Sequence, residues 1–234
     1  TIMPALSPAS VCARPPTISV ISQSWALSAR FIACPVVPDV RCNRLIHVAA
    51  KAGVGGRFTE YLDANVVSTE KLLEASKQAK VKRFIYTSTP SVVFSKLPIR
   101  NGKESLPYST ENFSPYATTK ALAEKSVLRA DERSGMRTIA LRPHLVWGAG
   151  DPHLLPRVIA RHKARKFKIV GNGKNKVDLT HVDNVVHAHL CALESMLLDP
   201  SLGGKSYFIG QDEPVFLWEW LNQIFSEIGL PILE

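Results

Sequence analysis

Lys82-Arg83-Phe84-Ile85-Tyr86-Thr87-Ser88-Thr89 is an apolar run ending in three hydroxyl residues, and Ser114-Pro115-Tyr116-Ala117-Thr118-Thr119-Lys120 follows it after a loop. The first stretch reads as a buried strand. The second opens a helix, because Ser caps the free amides of a first turn and Pro fits its first position. That helix is predicted to run to about Ser134 and to stop at Gly135. Upstream, Leu45-Ile46-His47-Val48-Ala49-Ala50 has strand character, and residues 59–80 place Leu62, Val66, Thr69 and Leu73 at helical spacing. Downstream, strands are predicted at residues 138–141, 168–170 and 206–209, with a Gly171-Asn172-Gly173 turn after the second. Helices are predicted from Leu154 to Ala164 and, capped by Asp183, to about Leu198. A last helix carries Leu217, Trp220, Leu221, Ile224, Phe225 and Ile228 along one face. Strands alternating with helices give an α/β class, a doubly wound parallel sheet covered on both faces.

Composition narrows the classes further. The chain has 234 residues, 45% hydrophobic and 21% charged, enough to bury a core without disulfides or metals. No uninterrupted apolar run reaches the ~18 residues of a membrane-spanning helix. Cys12, Cys34, Cys42 and Cys191 lack metal or disulfide spacing, and His187 and His189 do not share a helix face. No metal is expected, and a cytoplasmic setting is the default. The formal charge of +9 points to an anionic partner. Its densest stretch, residues 161–168, reads most simply as a solvated helix end whose cations complement the dipole. No interleaved aromatics suggest a nucleic-acid groove, so no nucleic acid is expected, while peripheral membrane contact stays open.

The first quarter is different. Residues 1–52 hold no glycine, one acidic residue (Asp39) and six prolines. Residues 17–21 and 31–33 read as short strands, and the scarcity of acids fits a transit peptide loosely.

Tyr116 and Lys120, four residues apart, share a helix face. A phenol with a reference pKa near ~10 is a poor base, and a nearby ammonium would lower that value. The hydroxyls of Thr87, Ser88 and Thr89 lie where ligands bind in open parallel sheets, outside the strands' carboxyl ends. Alone, the Tyr–Lys spacing is more often just an exposed helix face.

In this setting the chain resembles the extended short-chain dehydrogenase/reductases, and within them the 3β-hydroxysteroid dehydrogenase branch. The segments that carry the resemblance include LIHVAAKAGV, DANVVSTEKLLEASKQAKVKRFIYTSTPSVVF, SPYATTKALAEKSVL, TIALRPHLVWGAGDPHLLPRVI and VGNGKNKVDLTHVDNVVHAHLCALE. They cover about Leu45 to Gly229; the NGK–LPY, RPH–GDP–LLPR and GNGKN–VD stretches look most like sterol-4α-carboxylate 3-dehydrogenases, and reductases of 2-alkyl-3-oxo fatty acids are similar too. The resemblance implies a Rossmann-type dinucleotide-binding fold over residues 45–150 and a partial substrate region over 151–234, with residues 1–44 an aberrant segment in place of the first units. It implies that the chain is incomplete at both ends.

It also implies roles. Tyr116 would be the acid/base, Lys120 its partner and a ribose ligand, and Thr89, or less readily Ser88, the substrate-orienting hydroxyl. Asn65 matches the family's buried asparagine, although Ser68 stands where a glycine is usual. Ala49, Ala50, Lys51, Thr87 and Ser88 would lie along the cofactor, as would Pro143, His144, Leu145 and Val146 beside its nicotinamide. The cofactor is NAD or NADP, which the missing acidic ribose reader leaves undivided. The substrate is a hydrophobic sterol or long-chain 3-oxo acid, with sugar-nucleotide chemistry as the alternative and a non-catalytic relative as a second; a homodimer stays open. The family's glycine-rich phosphate turn has no counterpart in residues 1–44, so weak dinucleotide binding is expected.

Overall fold

The computed structural model describes residues 18–21 and 43–233, apart from residues 54, 112, 113, 152 and 212. The strand expected at residues 31–33 lies outside them. Five parallel strands form the main sheet, in the order β1 (Ile18–Ile21), β2 (Arg44–His47), β3 (Arg83–Thr87), β4 (Arg137–Pro143) and β8 (Lys205–Ile209). Alternation along each strand divides its side chains between two faces. Leu45, Phe84, Tyr86 and Ala140 point to one face and pack with Leu73, Ala123, Val127 and Met136. Ile46, Ile85, Ile139 and Leu141 point to the other, against Ala192, Leu193 and Met196.

Both faces are therefore apolar, and both are covered, as a parallel sheet requires. The first lies under α2 (Ser68–Gln78) and α3 (Pro115–Arg129), with α1 (Phe58–Tyr61) and a π-helical stretch (Leu62–Val67) packed against α3. The second lies under α5 (Val182–Leu198). This is the α/β sheet that the strand–helix alternation predicts. At ~1.5–3 kcal/mol for each fully buried large aliphatic or aromatic side chain, these two layers outweigh any surface contact.

A second cluster flanks the sheet. Here α4 (Leu155–Lys163) and α6 (Leu217–Glu227) enclose Trp218, Leu221 and Phe225 with Val158, Ile159 and Phe167. Two short pairs tie it in: parallel β5 (Val146–Trp147) with β7 (Thr180–His181), and antiparallel β6 (Lys176–Val177) with β9 (Val215–Phe216). Gly148 lies against the start of α5 at φ +146°, where a Cβ would come within 2.7 Å of Val182.

Several local expectations are corrected. The helix expected over 59–80 spans 58–78 and is π-helical in its middle. Helix α3 ends at Arg129 rather than Ser134, because Asp131 turns the chain, accepting from Arg137 Nε at 2.9 Å and Thr138 N at 2.8 Å. Residues 168–170 form no strand; Ile169 packs into the Trp218 cluster instead. His181, not Asp183, caps α5, its Nδ1 accepting from Asp183 N at 3.3 Å.

Candidate active site

Because the strands are parallel, their carboxyl ends share one edge of the sheet, and α3 begins beside it. Ser114 caps α3 by accepting from Ala117 N at 3.1 Å, with Pro115 in the first turn. This start fixes the two side chains that follow. Lys120 is 1% exposed; its Nζ donates to Thr87 O at 2.6 Å and lies 4.1 Å from the centre of the Tyr86 ring. Burial brings this amine down to about 7, with the Glu124 carboxylate one turn on opposing the shift. Tyr116 is half-buried. Loss of solvent raises its phenol above the ordinary value, and a hydrogen bond with the Thr89 side chain pulls it back. The expected lowering by Lys120 is thus corrected: the ammonium is committed to Thr87 and Tyr86, and desolvation governs the phenol.

The three hydroxyls at the end of β3 have three different partners. Thr87 Oγ1 lies 2.7 Å from His189 Nε2, while His189 Nδ1 lies 2.7 Å from Val185 O. The carbonyl can only accept, so Nδ1 carries the proton and Nε2 accepts from Thr87. Ser88 points to the other face and donates to the Glu124 carboxylate. Thr89 caps the short 3₁₀ helix Pro90–Val93, accepting from Ser91 N at 3.3 Å, and is the hydroxyl whose influence on the Tyr116 phenol opposes that of burial.

Asn65 sits in the π-helical stretch and is 1% exposed. Its Oδ1 accepts from Lys51 N at 2.7 Å, and its Nδ2 donates to Lys51 O at 3.1 Å and Thr119 Oγ1 at 3.0 Å. One amide thus pins the loop after β2, with Ala49, Ala50 and Lys51, to the helix that carries Tyr116. The Lys51 side chain turns to Glu60, 2.9 Å away. Pro143 ends β4 on the same edge of the sheet. His144 follows, its Nδ1 donating to Asp178 O at 2.8 Å. Leu145 takes φ +38°, a conformation uncommon outside glycine, and Val146 begins β5.

Two features of this region escape the sequence reading. Glu124, fully buried, accepts from Ser88, from Tyr108 Oη at 2.9 Å and from Arg142, which is 2% exposed. Its spacing of four from Lys120 was a readable signal, as was an arginine inside an apolar strand. His47, 3% exposed, hydrogen-bonds Thr69 at 2.9 Å and lies near Lys120; nothing in sequence marks it. Phenol, amine, threonine hydroxyl and the loop at Ala49–Lys51 together form a donor set suited to a sugar diol and a reacting oxygen. Among the described residues no cluster of His, Cys, Asp and Glu gathers to hold a metal.

Comparison with known proteins agrees with this geometry. Residues 35–233 match the model of the 3-beta hydroxysteroid dehydrogenase/isomerase family. Over 197 residues the chain is 43% identical to a 2-alkyl-3-oxoalkanoate reductase of Shewanella oneidensis, covering 81% of this chain and 51% of that protein. Over 189 residues it is 40% identical to the decarboxylating sterol-4-alpha-carboxylate 3-dehydrogenase of Bos taurus, covering 80% and 53%. The chain spans about half the length of these curated relatives. Among solved structures it resembles UDP-glucuronic acid 4-epimerase from Bacillus cereus in complex with NAD, with a TM-score of 0.69 and 26% identity over 85% of this chain and 63% of that one. A parallel sheet with a tyrosine and a lysine at its carboxyl edge, matched over most of the sequence, has one assignment: the chain belongs to the 3-beta hydroxysteroid dehydrogenase/isomerase family.

Proposed function

We propose that this chain carries the catalytic edge of an NAD- or NADP-dependent oxidoreductase acting on a 3β-hydroxy or 3-oxo group of a sterol-like substrate. The observation that supports it best is the Lys120 amine anchored on Thr87 O at 2.6 Å at the carboxyl edge, one helical turn after Tyr116 on α3. Thr89 orients the substrate oxygen. Tyr116 gives that oxygen a proton when a ketone is reduced and takes one when an alcohol is oxidised. In this reading Lys120 and the loop held by Asn65 bind the ribose, which requires Lys120 Nζ to share its bond to Thr87 O, and Pro143 to Val146 line the approach to the reacting carbon. A nicotinamide, when bound, supplies or accepts the hydride.

The relatives narrow the substrate class. A 2-alkyl-3-oxoalkanoate and a 3-hydroxysterol bearing a 4α-carboxylate share one element: a carboxylate whose branched α-carbon adjoins the reacting carbon. We infer that this β-oxo or β-hydroxy acid unit is what the site reads. For the sterol, oxidation yields a β-keto acid that loses carbon dioxide readily. The 43% identity to the alkanoate reductase favours an acyclic acid as the second reading. Turnover of α-branched β-hydroxy acids, a 4-carboxysterol and UDP-glucuronate with each nicotinamide tests this. Oxidation of the branched acids or the carboxysterol is expected; turnover of the sugar nucleotide alone overturns it.

A further inference from the structure

Between Asp151 and Asp178 the chain carries eight Lys and Arg residues and no Asp or Glu. The rest of the chain holds 21 cations against 20 anions, so this segment supplies eight of the nine formal charges. All eight cations are exposed, and none joins an ion pair among the described residues. Complementing the dipole of α4 accounts for those in its last turn. It does not account for Arg165, Lys166 and Lys168, which lie beyond the helix.

The end of α4 gathers these charges. Arg165 takes φ +55°, Lys166 N donates to Arg161 O at 2.9 Å and Arg165 N to His162 O at 2.8 Å. The chain doubles back on itself, so cations before and after the cap are brought together. His162 Nε2 lies 2.6 Å from Pro231 O, which sets the last residues of the structure beside this cap. There Ile232 is 58% exposed and Ile228 49%, and Val170, just past Lys168, is 74% exposed. The rings of the segment turn inward: His162 stacks on Phe225 at 4.0 Å, and Phe167 meets Trp218 at 5.6 Å.

We propose that this face docks on an anionic phospholipid bilayer, its cations on the headgroups and Ile232, Ile228 and Val170 in the interface. Clustered unpaired cations beside exposed aliphatic side chains suit a lipid surface. A single-stranded nucleic acid would want aromatic rings outside for its bases, and here they face in. The proposed contact is made by this surface, and no helix among the described residues is long and apolar enough to cross a membrane. Glu227 flanks Ile228 and pairs with none of the cations.

Co-sedimentation of the whole chain with phosphatidylcholine vesicles, with and without phosphatidylserine, tests the proposal. Binding is expected only with phosphatidylserine, and it should weaken in high salt. The variant Lys163→Glu/Arg165→Glu/Lys166→Glu should lose roughly a hundredfold in affinity, at the energy usual for each basic residue near an anionic surface. Lys82→Glu/Lys103→Glu/Arg133→Glu makes the same change in net charge on exposed residues elsewhere and should keep binding. Should the first variant fail to fold, Val170→Ser/Ile232→Ser, with every charge intact, should still weaken vesicle binding several-fold. Equal loss in both charge variants, no binding to phosphatidylserine vesicles, no effect of the serine pair, or tighter binding to a single-stranded RNA oligonucleotide would each overturn it.

Discussion

Tyr116 and Lys120 are both pushed toward their neutral forms by burial. A neutral phenol is a proton donor, which is the form that the proposed reduction of a ketone needs. Replacing Tyr116 by Phe keeps the ring and removes that proton. The chemical step should then fall by about 10²–10⁴-fold, the usual scale for a positioned acid or base, measured as single-turnover hydride transfer. The neighbouring hydroxyls make a sharper contrast. Thr89→Ala removes the group beside the phenol and should slow the step by about 10²-fold, as loss of one oriented donor does. Ser88→Ala instead leaves the buried Glu124 short of a donor, so it should cost about 1–3 kcal/mol of stability. Denaturant melts of both variants, read beside their rates, separate the two roles. The sequence alone nominates both hydroxyls. Only the resemblance ranks Thr89 ahead of Ser88; residue types alone do not, because the fold decides which way each side chain points past the end of β3.

Helix α3 is joined to β4 by the buried pair of Glu124 and Arg142, with Tyr108 and Ser88 completing the carboxylate's partners. Arg142→Met should destabilise by about 3–5 kcal/mol, because it strands a buried carboxylate, whereas Arg142→Met with Glu124→Gln should cost clearly less. Chemical denaturation of the two variants checks this order. What was legible at this scale follows from local rules. The cap at Ser114, the alternation in β2, β3 and β4, and the apolar stripe of α6 all depend on neighbours in sequence. What was not legible depends on partners far along the chain. The π-helical stretch is secured when Asn65 hydrogen-bonds Lys51 and Thr119, and no periodicity shows that. Likewise α3 stops where Asp131 meets Arg137 and Thr138, before the glycine that sequence suggests. Residues 168–170 have the apolar make-up of a strand, but Ile169 packs into the Trp218 cluster and no strand among the described residues pairs with them.

Across the whole molecule, the buried cationic groups make the fold favour alkaline conditions. Thr69 Oγ1 donates to Asn65 O at 2.7 Å, so it accepts from His47 Nε2, leaving His47 Nδ1 bare, buried and without a partner. A proton there would have no acceptor and would lie near Lys120; burial first, and then that ammonium, brings His47 down to about 3. In the unfolded chain it titrates near ~6.5. Between these values the unfolded state binds the extra proton, so stability is whole above the unfolded value and is lost as pH falls toward the folded one. Lys120 acts the same way at higher pH: folded it titrates at about 7, unfolded near 10.5, so its burial penalty grows as pH falls through that window. His189, also lowered by burial, adds to the acid side. The test isolates His47. His47→Gln keeps a donor for Thr69 and cannot titrate, so the parent chain should lose about 2 kcal/mol more than the variant between pH 6.5 and 4.5. Urea midpoints at the two pH values give this difference directly, with His189 and the carboxylates cancelling between the proteins. Parallel losses in parent and variant would mean that His47 accepts a proton in the folded chain and that Nδ1 has an acceptor after all.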